Sequence, residues 1–143
     1  MPDRPSAAAD RPAAPGPIAA CHHVAVCVGD AEAARRFYGG ALGLEEIPRP
    51  PEVAVPGAWY RLGATELHVF EAKGYAPPRS PSFPPHFAVF TADFDASVER
   101  LRAAGARFDF GPGTDAHGIR RVVLRDPTGN VVEVTDAPLG EAR

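Results

Sequence analysis

A histidine-led tetrapeptide occurs twice in this chain, and the repeat constrains the fold more than any other feature. His23-Val24-Ala25-Val26 and His86-Phe87-Ala88-Val89 are each followed by an aspartate, Asp30 or Asp93, and then by an alanine-rich stretch. Short runs of β-branched and aromatic residues predict strands, and an aspartate in front of an alanine-rich run predicts a helix N-cap. The two segments therefore predict a fold of two similar halves, with a site where the halves meet.

The same series of elements is predicted in both halves: a strand, a helix and three further strands. The fold class is therefore predicted to be α+β, built from tandem βαβββ modules. In the first half the strands are 21–28, 44–49, 59–62 and 66–71, and the helix is 31–38, ended by Gly39, Gly40 and Gly43. In the second half the strands are 86–91, 106–110, 119–124 and 131–135, and the helix is 96–104.

Composition changes mark the predicted domain boundaries. Residues 1–19 are rich in proline and alanine and predict a disordered tail. Residues 20–137 are predicted to be a single domain, and residues 138–143 a short tail. Within the domain, module 1 covers about 20–72 and module 2 about 86–137, joined by a proline-rich linker, 73–85.

Charge and hydropathy exclude several classes of partner. The net charge is −3, so the chain lacks the basic surface that nucleic-acid binding needs. No apolar run approaches the roughly 20 residues that span a bilayer. Cys21 and Cys27 lie too far apart along one predicted strand to form a disulfide. With no secretory signal at the start, a cytoplasmic location is expected.

Strand alternation groups the polar residues on one face of the predicted sheets. His23, Ala25 and Cys27 share a face, and the bulky Val24 and its alternating neighbours share the other, which is expected to pack on the helix. His22 is expected to point away from His23. The same parity applies to His86 in the second half, and the repeat makes His68 and Glu133 equivalent positions on the last strand of each half.

Three imidazoles and one carboxylate on one concave surface form a predicted metal site, made of His23, His68, His86 and Glu133. Neutral histidine and glutamate suit Zn, Ni, Co, Mn or Fe(II), and the lack of a thiolate argues against a structural zinc site. Four protein ligands on an octahedral ion leave two positions open for water or substrate oxygens. This layout predicts Lewis-acid catalysis on a small-molecule substrate.

These residues resemble the vicinal oxygen chelate superfamily, which includes glyoxalase I, methylmalonyl-CoA epimerase, bleomycin-binding proteins and extradiol dioxygenases. The resemblance covers about residues 20–137. It rests on both tetrapeptides with Asp30 and Asp93, Phe37-Tyr38 with Leu42-Gly43, Gly57-Ala58-Trp59, Leu67-His68-Val69, and Asp126-Pro127-Thr128-Gly129-Asn130 running into Glu133.

The resemblance implies paired modules that form a curved, incompletely closed mixed sheet around a central cavity, with the helices outside. It carries the metal-ligand role over to His23, His86 and Glu133. His68 matches the fourth ligand, which is commonly Glu or Gln in the isomerases, so histidine there departs from their pattern. A homodimer is the more frequent assembly in the family, although modules can also pair within one chain.

Several side chains are candidates for contact with the substrate or the reacting atoms. Glu133 and His68 are the catalytic candidates, as a base or an acid–base group. Phe70, Phe90 and Cys27 share the ligand face and are expected near a substrate. Trp59 is expected to line the cavity, and Arg121 is a candidate for binding a substrate carboxylate or phosphate.

Three functions remain open from the sequence. The first is a metal-dependent isomerase, epimerase or lyase of the glyoxalase type, which stabilises an enolate or enediolate. The second is an Fe(II) extradiol-type dioxygenase with His23, His86 and Glu133 as a two-His-one-carboxylate triad. The third is a metal-free drug-binding protein of the bleomycin resistance type.

Overall fold

The structure, a computed structural model, describes residues 16–80, 82 and 84–140. Most of the predicted N-terminal tail, 1–15, and the last three residues of the predicted C-terminal tail lie outside the described residues. The strands are β1 (His23–Val28), β2 (Glu46–Ile47), β3 (Gly57–Leu62), β4 (Thr65–Glu71), β5 (His86–Phe90), β6 (Phe108–Thr114), β7 (Arg120–Arg125) and β8 (Val131–Thr135). The helices are α1 (Ala31–Arg35), a π-helical segment (Arg36–Ala41) that continues it, and α2 (Phe94–Ala103).

The strands form two four-stranded mixed sheets, one from each module. Their orders are β1-β4-β3-β2 and β5-β8-β7-β6, so each module has the same topology. In both sheets the first strand pairs in parallel with the last, and the other neighbours are antiparallel. The predicted α+β class and the tandem βαβββ modules are confirmed.

The strand register places the repeat-related residues at matching positions. Ala25 on β1 is the Cα partner of His68 on β4, and Ala88 on β5 is the Cα partner of Glu133 on β8. Each of these alanines lies two residues after the histidine that begins its strand. His68 and Glu133 are therefore structurally equivalent, as the sequence repeat predicts.

Aspartate side chains begin both helices. A carboxylate oxygen of Asp30 accepts a hydrogen bond from the amide of Ala33 at 2.8 Å, and Asp93 accepts one from Ala96 at 3.0 Å. These bonds satisfy amides that have no partner within the helix. With Asp93 as its cap, α2 begins at Phe94, two residues earlier than predicted.

The first helix does not end at Gly39-Gly40 as predicted. The chain continues through both glycines as a π-helical segment, in which the amide of Leu42 donates to the carbonyl of Phe37 at 2.9 Å. Gly43 ends it with a φ of 75°, a left-handed conformation that glycine adopts without strain. The wider turn buries Tyr38 completely.

One hydrophobic core joins the two modules. It combines the buried side chains of both helical segments with the inner faces of both sheets. Polar bonds also cross between modules: the hydroxyl of Tyr38 donates to Asp126 at 2.8 Å, and Arg100 donates to the carbonyl of Gly40 at 2.8 Å. The modules are thus packed on each other through the helix side of their sheets.

Strand limits differ most from the prediction at β2 and β6. β2 shortens to two residues, and β6 runs on to Thr114 through register irregularities that the glycines of its sequence permit. Within the described part of the 72–85 stretch there is no helix or strand. Among the described residues no helix has the length and apolar character needed to cross a membrane.

Candidate functional site

An aromatic stack crosses the open face of the first sheet. His68 lies between His23 and Trp59, which come from the strands on either side of β4. The ring centroids of His68 and Trp59 are 3.7 Å apart at an angle of 4°, and those of His68 and His23 are 4.4 Å apart at 13°. This packing leaves His68 only 6% exposed, so its ring is held in one orientation.

Glu66 binds the far edge of the His68 ring. Its Oε2 lies 2.8 Å from His68 Nε2, and a carboxylate can only accept, so Nε2 carries the proton and Nδ1 is left as an acceptor. The hydrogen bond from His68 is the main cause that lowers the pKa of Glu66. Sequence reasoning missed this residue, although the Glu-x-His spacing on a strand places both side chains on one face.

His22 contacts His23, against the expectation that the two would point apart. Their Nδ1 atoms are 2.9 Å apart, within hydrogen-bond distance. The alternation rule failed because β1 begins at His23, so His22 lies outside the strand to which the rule applies. His22 therefore helps to orient the His23 ring.

The second module places His86 beside Glu133. His86 Nδ1 lies 3.1 Å from the carbonyl of Pro84, to which it must donate, so Nε2 is the acceptor nitrogen. Glu133 Oε2 is 3.9 Å from that Nε2. A backbone carbonyl that fixes the tautomer of a histidine is a common arrangement around metal-binding imidazoles.

The four predicted ligands thus come together as two pairs, His23 with His68 and His86 with Glu133. Within the described part of the chain, no group of three or more His, Cys, Asp or Glu side chains is arranged to hold a metal ion.

The remaining predicted site residues lie on the same sheet faces as the four predicted ligands. Phe70 packs edge-on to His68 with centroids 6.3 Å apart, and Cys27 is half-buried on the neighbouring strand. In the second module Phe90 is 45% exposed. Arg121 binds Asp115 at 2.6 Å, so its charge already has a partner in the protein.

The family model of the Glyoxalase/Bleomycin resistance protein/Dioxygenase superfamily matches residues 20–134. The chain belongs to this superfamily. The match spans both modules and includes His23, His68, His86 and Glu133. No curated protein matches the chain.

Solved structures of glyoxalase family proteins are similar to this one over most of its length. A glyoxalase family protein from Bacillus anthracis is 30% identical, with a TM-score of 0.69, covering 85% of this chain and 98% of its own. A glyoxalase/dioxygenase from Nostoc punctiforme is 27% identical, with a TM-score of 0.70 and coverages of 86% and 94%. Lactoylglutathione lyase from Agrobacterium tumefaciens is 25% identical, with a TM-score of 0.64 and coverages of 89% and 100%.

Proposed function

We propose that this glyoxalase-superfamily protein is a divalent-metal-dependent enzyme of the isomerase, epimerase or lyase type that acts on a small oxygenated substrate. The observation that carries the proposal is the His86–Glu133 pair. The acceptor nitrogen of His86 lies 3.9 Å from a carboxylate oxygen. With metal–ligand bonds of about 2.1 Å, closing this separation by less than about 1 Å would let both atoms bind one tetrahedral or octahedral ion.

From the first module, His23 is the better candidate for the third ligand. A bond from an imidazole nitrogen to a metal lies in the plane of the ring, and the rings of His23 and His68 are nearly parallel, at 13°. Because the two rings are stacked, nitrogens of both rings cannot direct their lone pairs at one ion. The ligands would then be His23, His86 and Glu133, and a bound divalent ion would supply Lewis-acid stabilisation of a substrate oxyanion.

His68 is left for proton transfer. Glu66 holds the proton on Nε2 at 2.8 Å, so Nδ1 can accept a proton from the substrate carbon and return it. The stack with Trp59 fixes the ring for this step. Among the predicted substrate contacts, Phe70 and Cys27 share the face of His68, and Phe90 shares the face of Glu133.

We further propose that a second copy of the chain completes the site in a homodimer. The open faces that carry the two pairs also carry exposed aromatic side chains, Phe90 at 45% and Phe110 at 57%. Exposed apolar side chains beside polar functional groups are typical of protein interfaces. When two copies dock through these faces, His23 and His68 of one copy meet His86 and Glu133 of the other.

Mixing two variants tests the shared site. His23→Ala and Glu133→Ala are each expected to lack metal alone. When the two variants are mixed and exchange subunits through partial denaturation, about half of the dimers contain one copy of each variant. One of the two sites in such a dimer has the native ligand set, so about a quarter of all sites are expected to bind metal. If the mixture stays without metal although mixed dimers form, the site lies within one chain.

An Fe(II) dioxygenase is the second candidate, because the stacking leaves two histidines and one carboxylate as ligands. Elemental analysis of the native protein, followed by reconstitution with Zn, Ni, Co, Mn or Fe(II), separates the two. The proposed enzyme forms lactoylglutathione or turns over a related substrate without consuming oxygen. Iron as the native metal with oxygen-dependent catechol cleavage supports the dioxygenase, and a protein with no metal affinity supports the drug-binding alternative.

A further inference from the structure

A cavity of about 460 Å³ lies between the two modules, and none of His23, His68, His86 and Glu133 lines it. It is bounded by β1 and the β3–β4 turn of module 1 and by β5 and α2 of module 2. Its apolar walls include Val24, Leu44, Leu62, Val89 and Leu101.

The sequence repeat gives this cavity an equivalent position elsewhere between the modules, and that position is filled by side chains. There, Tyr38 donates to Asp126 at 2.8 Å, and the side-chain amide of Asn130 donates to the carbonyl of Cys27 at 2.8 Å. Thr128 accepts a further bond from a backbone amide of module 1 at 2.9 Å. The turn between β7 and β8 therefore closes this contact with a network of polar bonds.

At the cavity, the equivalent positions carry apolar or shorter side chains. Leu101 lies 63 residues after Tyr38, the same offset that relates the two histidine strands. The strand registers make Leu62 the equivalent of Asp126 and Thr65 the equivalent of Asn130. Leucine cannot form the hydrogen bonds made at the filled contact, and the β3–β4 turn is one residue shorter, so the same space stays open.

The cavity opens to solvent at its edge, where Arg61 and Leu139 of its lining are exposed. Ligand pockets commonly have volumes of roughly 300–1,000 Å³ and mostly apolar walls. The open contact therefore has the size and lining of a binding pocket.

We propose that this inter-module cavity binds a small, uncharged, hydrophobic molecule, at a site separate from the proposed metal centre. The absence of charge in the ligand follows from the polar groups around the cavity, which already have partners. Arg61 binds Glu45 at 2.9 Å, Arg100 binds the carbonyl of Gly40 at 2.8 Å, Thr65 binds the carbonyl of Cys21 at 2.6 Å, and Thr91 binds Ser97 at 2.8 Å.

Toluene and benzoate, which have similar ring sizes but different charges, test the proposal in titrations followed by amide chemical shifts. Toluene is expected to bind saturably and to shift amides around Leu62 and Leu101, whereas benzoate binds at least about tenfold more weakly. Leu44→Trp fills the cavity and is expected to weaken toluene binding by about tenfold or more. Val55→Trp is the matched control, since Val55 is 46% exposed and outside the cavity lining.

If Leu44→Trp does not fold, Leu44→Phe adds less bulk and serves in its place. Toluene binding that does not saturate, that is equal in the cavity-filling and control variants, or that is matched by benzoate overturns the proposal. Titration of Glu133→Ala separates this proposal from the metal centre. Toluene affinity is expected to be unchanged in that variant, and a loss of affinity would place the ligand at the metal centre instead.

Discussion

The two modules share a topology and a strand register but differ in the side chains that they place at equivalent positions. In module 1, His68 lies between His23 and Trp59 and binds Glu66. In module 2, Glu133 occupies the equivalent position. Val123 is the equivalent of Trp59, and Val131 is the equivalent of Glu66. The fold therefore provides two equal frames, and in the first of them an imidazole is stacked between two rings.

This difference underlies the separate roles that the proposed function gives to the two modules. In the proposed function, His68, stacked on both faces and bonded at one nitrogen, transfers the proton, and His86 and Glu133 bind the shared ion. The inter-module contacts show a similar inequality, polar at Tyr38 and open at Leu101. The two halves thus share their backbone geometry and differ in the side chains at a few equivalent positions.

The largest expected effect comes from removing His68, the proposed proton-transfer group. His68→Ala is expected to lower kcat by about 10²- to 10⁴-fold, the usual contribution of a general base. Glu66→Gln keeps the shape but is expected to lower kcat less, since His68 remains in place. Steady-state kinetics on the metal-loaded enzyme measure both, with His117→Ala in an exposed loop as the control. Unchanged kcat in His68→Ala would remove the difference in role between the modules.

The inter-module contacts are expected to differ in stability. Tyr38→Phe removes the hydroxyl that donates to the buried Asp126, and losing a buried partner costs about 1–3 kcal/mol. Leu101→Met at the equivalent position conserves volume and is expected to cost less than about 1.5 kcal/mol. Urea unfolding measures both free energies, and equal losses would contradict the contrast between the polar and the open contact.

Fluorescence gives a direct view of the stack, because Trp59 is the single tryptophan. Adding Zn²⁺ to metal-free protein is expected to leave the emission of Trp59 nearly unchanged if His68 stays stacked. His68→Ala is expected to change the emission by removing the neighbouring ring. A large zinc-dependent change in the wild type that is absent from His68→Ala would indicate that His68 leaves the stack to bind metal.

The smallest expected effect concerns acid stability in module 2. Arg120 donates to Asp136 at 2.7 Å and holds the pKa of that carboxyl below its ordinary value. A lowered folded-state pKa contributes stability that is fully present above the unfolded value of about 3.9 and is lost as pH falls through the folded value. Asp136→Asn is therefore expected to be less stable than wild type at pH 7, with the gap closing below about pH 4. Urea midpoints across this range measure it, with Glu52→Gln as an exposed control.

The fold could be predicted from the sequence because the same pattern of strands and helix occurs in both halves. The spacing of His23 and His86 from their capping aspartates indicated both modules, and strand parity placed the candidate side chains on one face. Parity cannot indicate how rings pack across neighbouring strands, so the stack of His68 with Trp59 was not foreseen. Nor could it show the contact of His22 with His23, which depends on where β1 begins.

Metal content in two matched variants tests the central claim most directly. Purified wild-type protein, Glu133→Ala and His68→Ala, each reconstituted with Zn²⁺ and desalted, are compared by elemental analysis. The proposed division of roles predicts that Glu133→Ala loses its metal while His68→Ala keeps it near the wild-type level. Full metal in Glu133→Ala, or equal loss in both variants, would contradict the assignment of the metal to His86 and Glu133 and of proton transfer to His68.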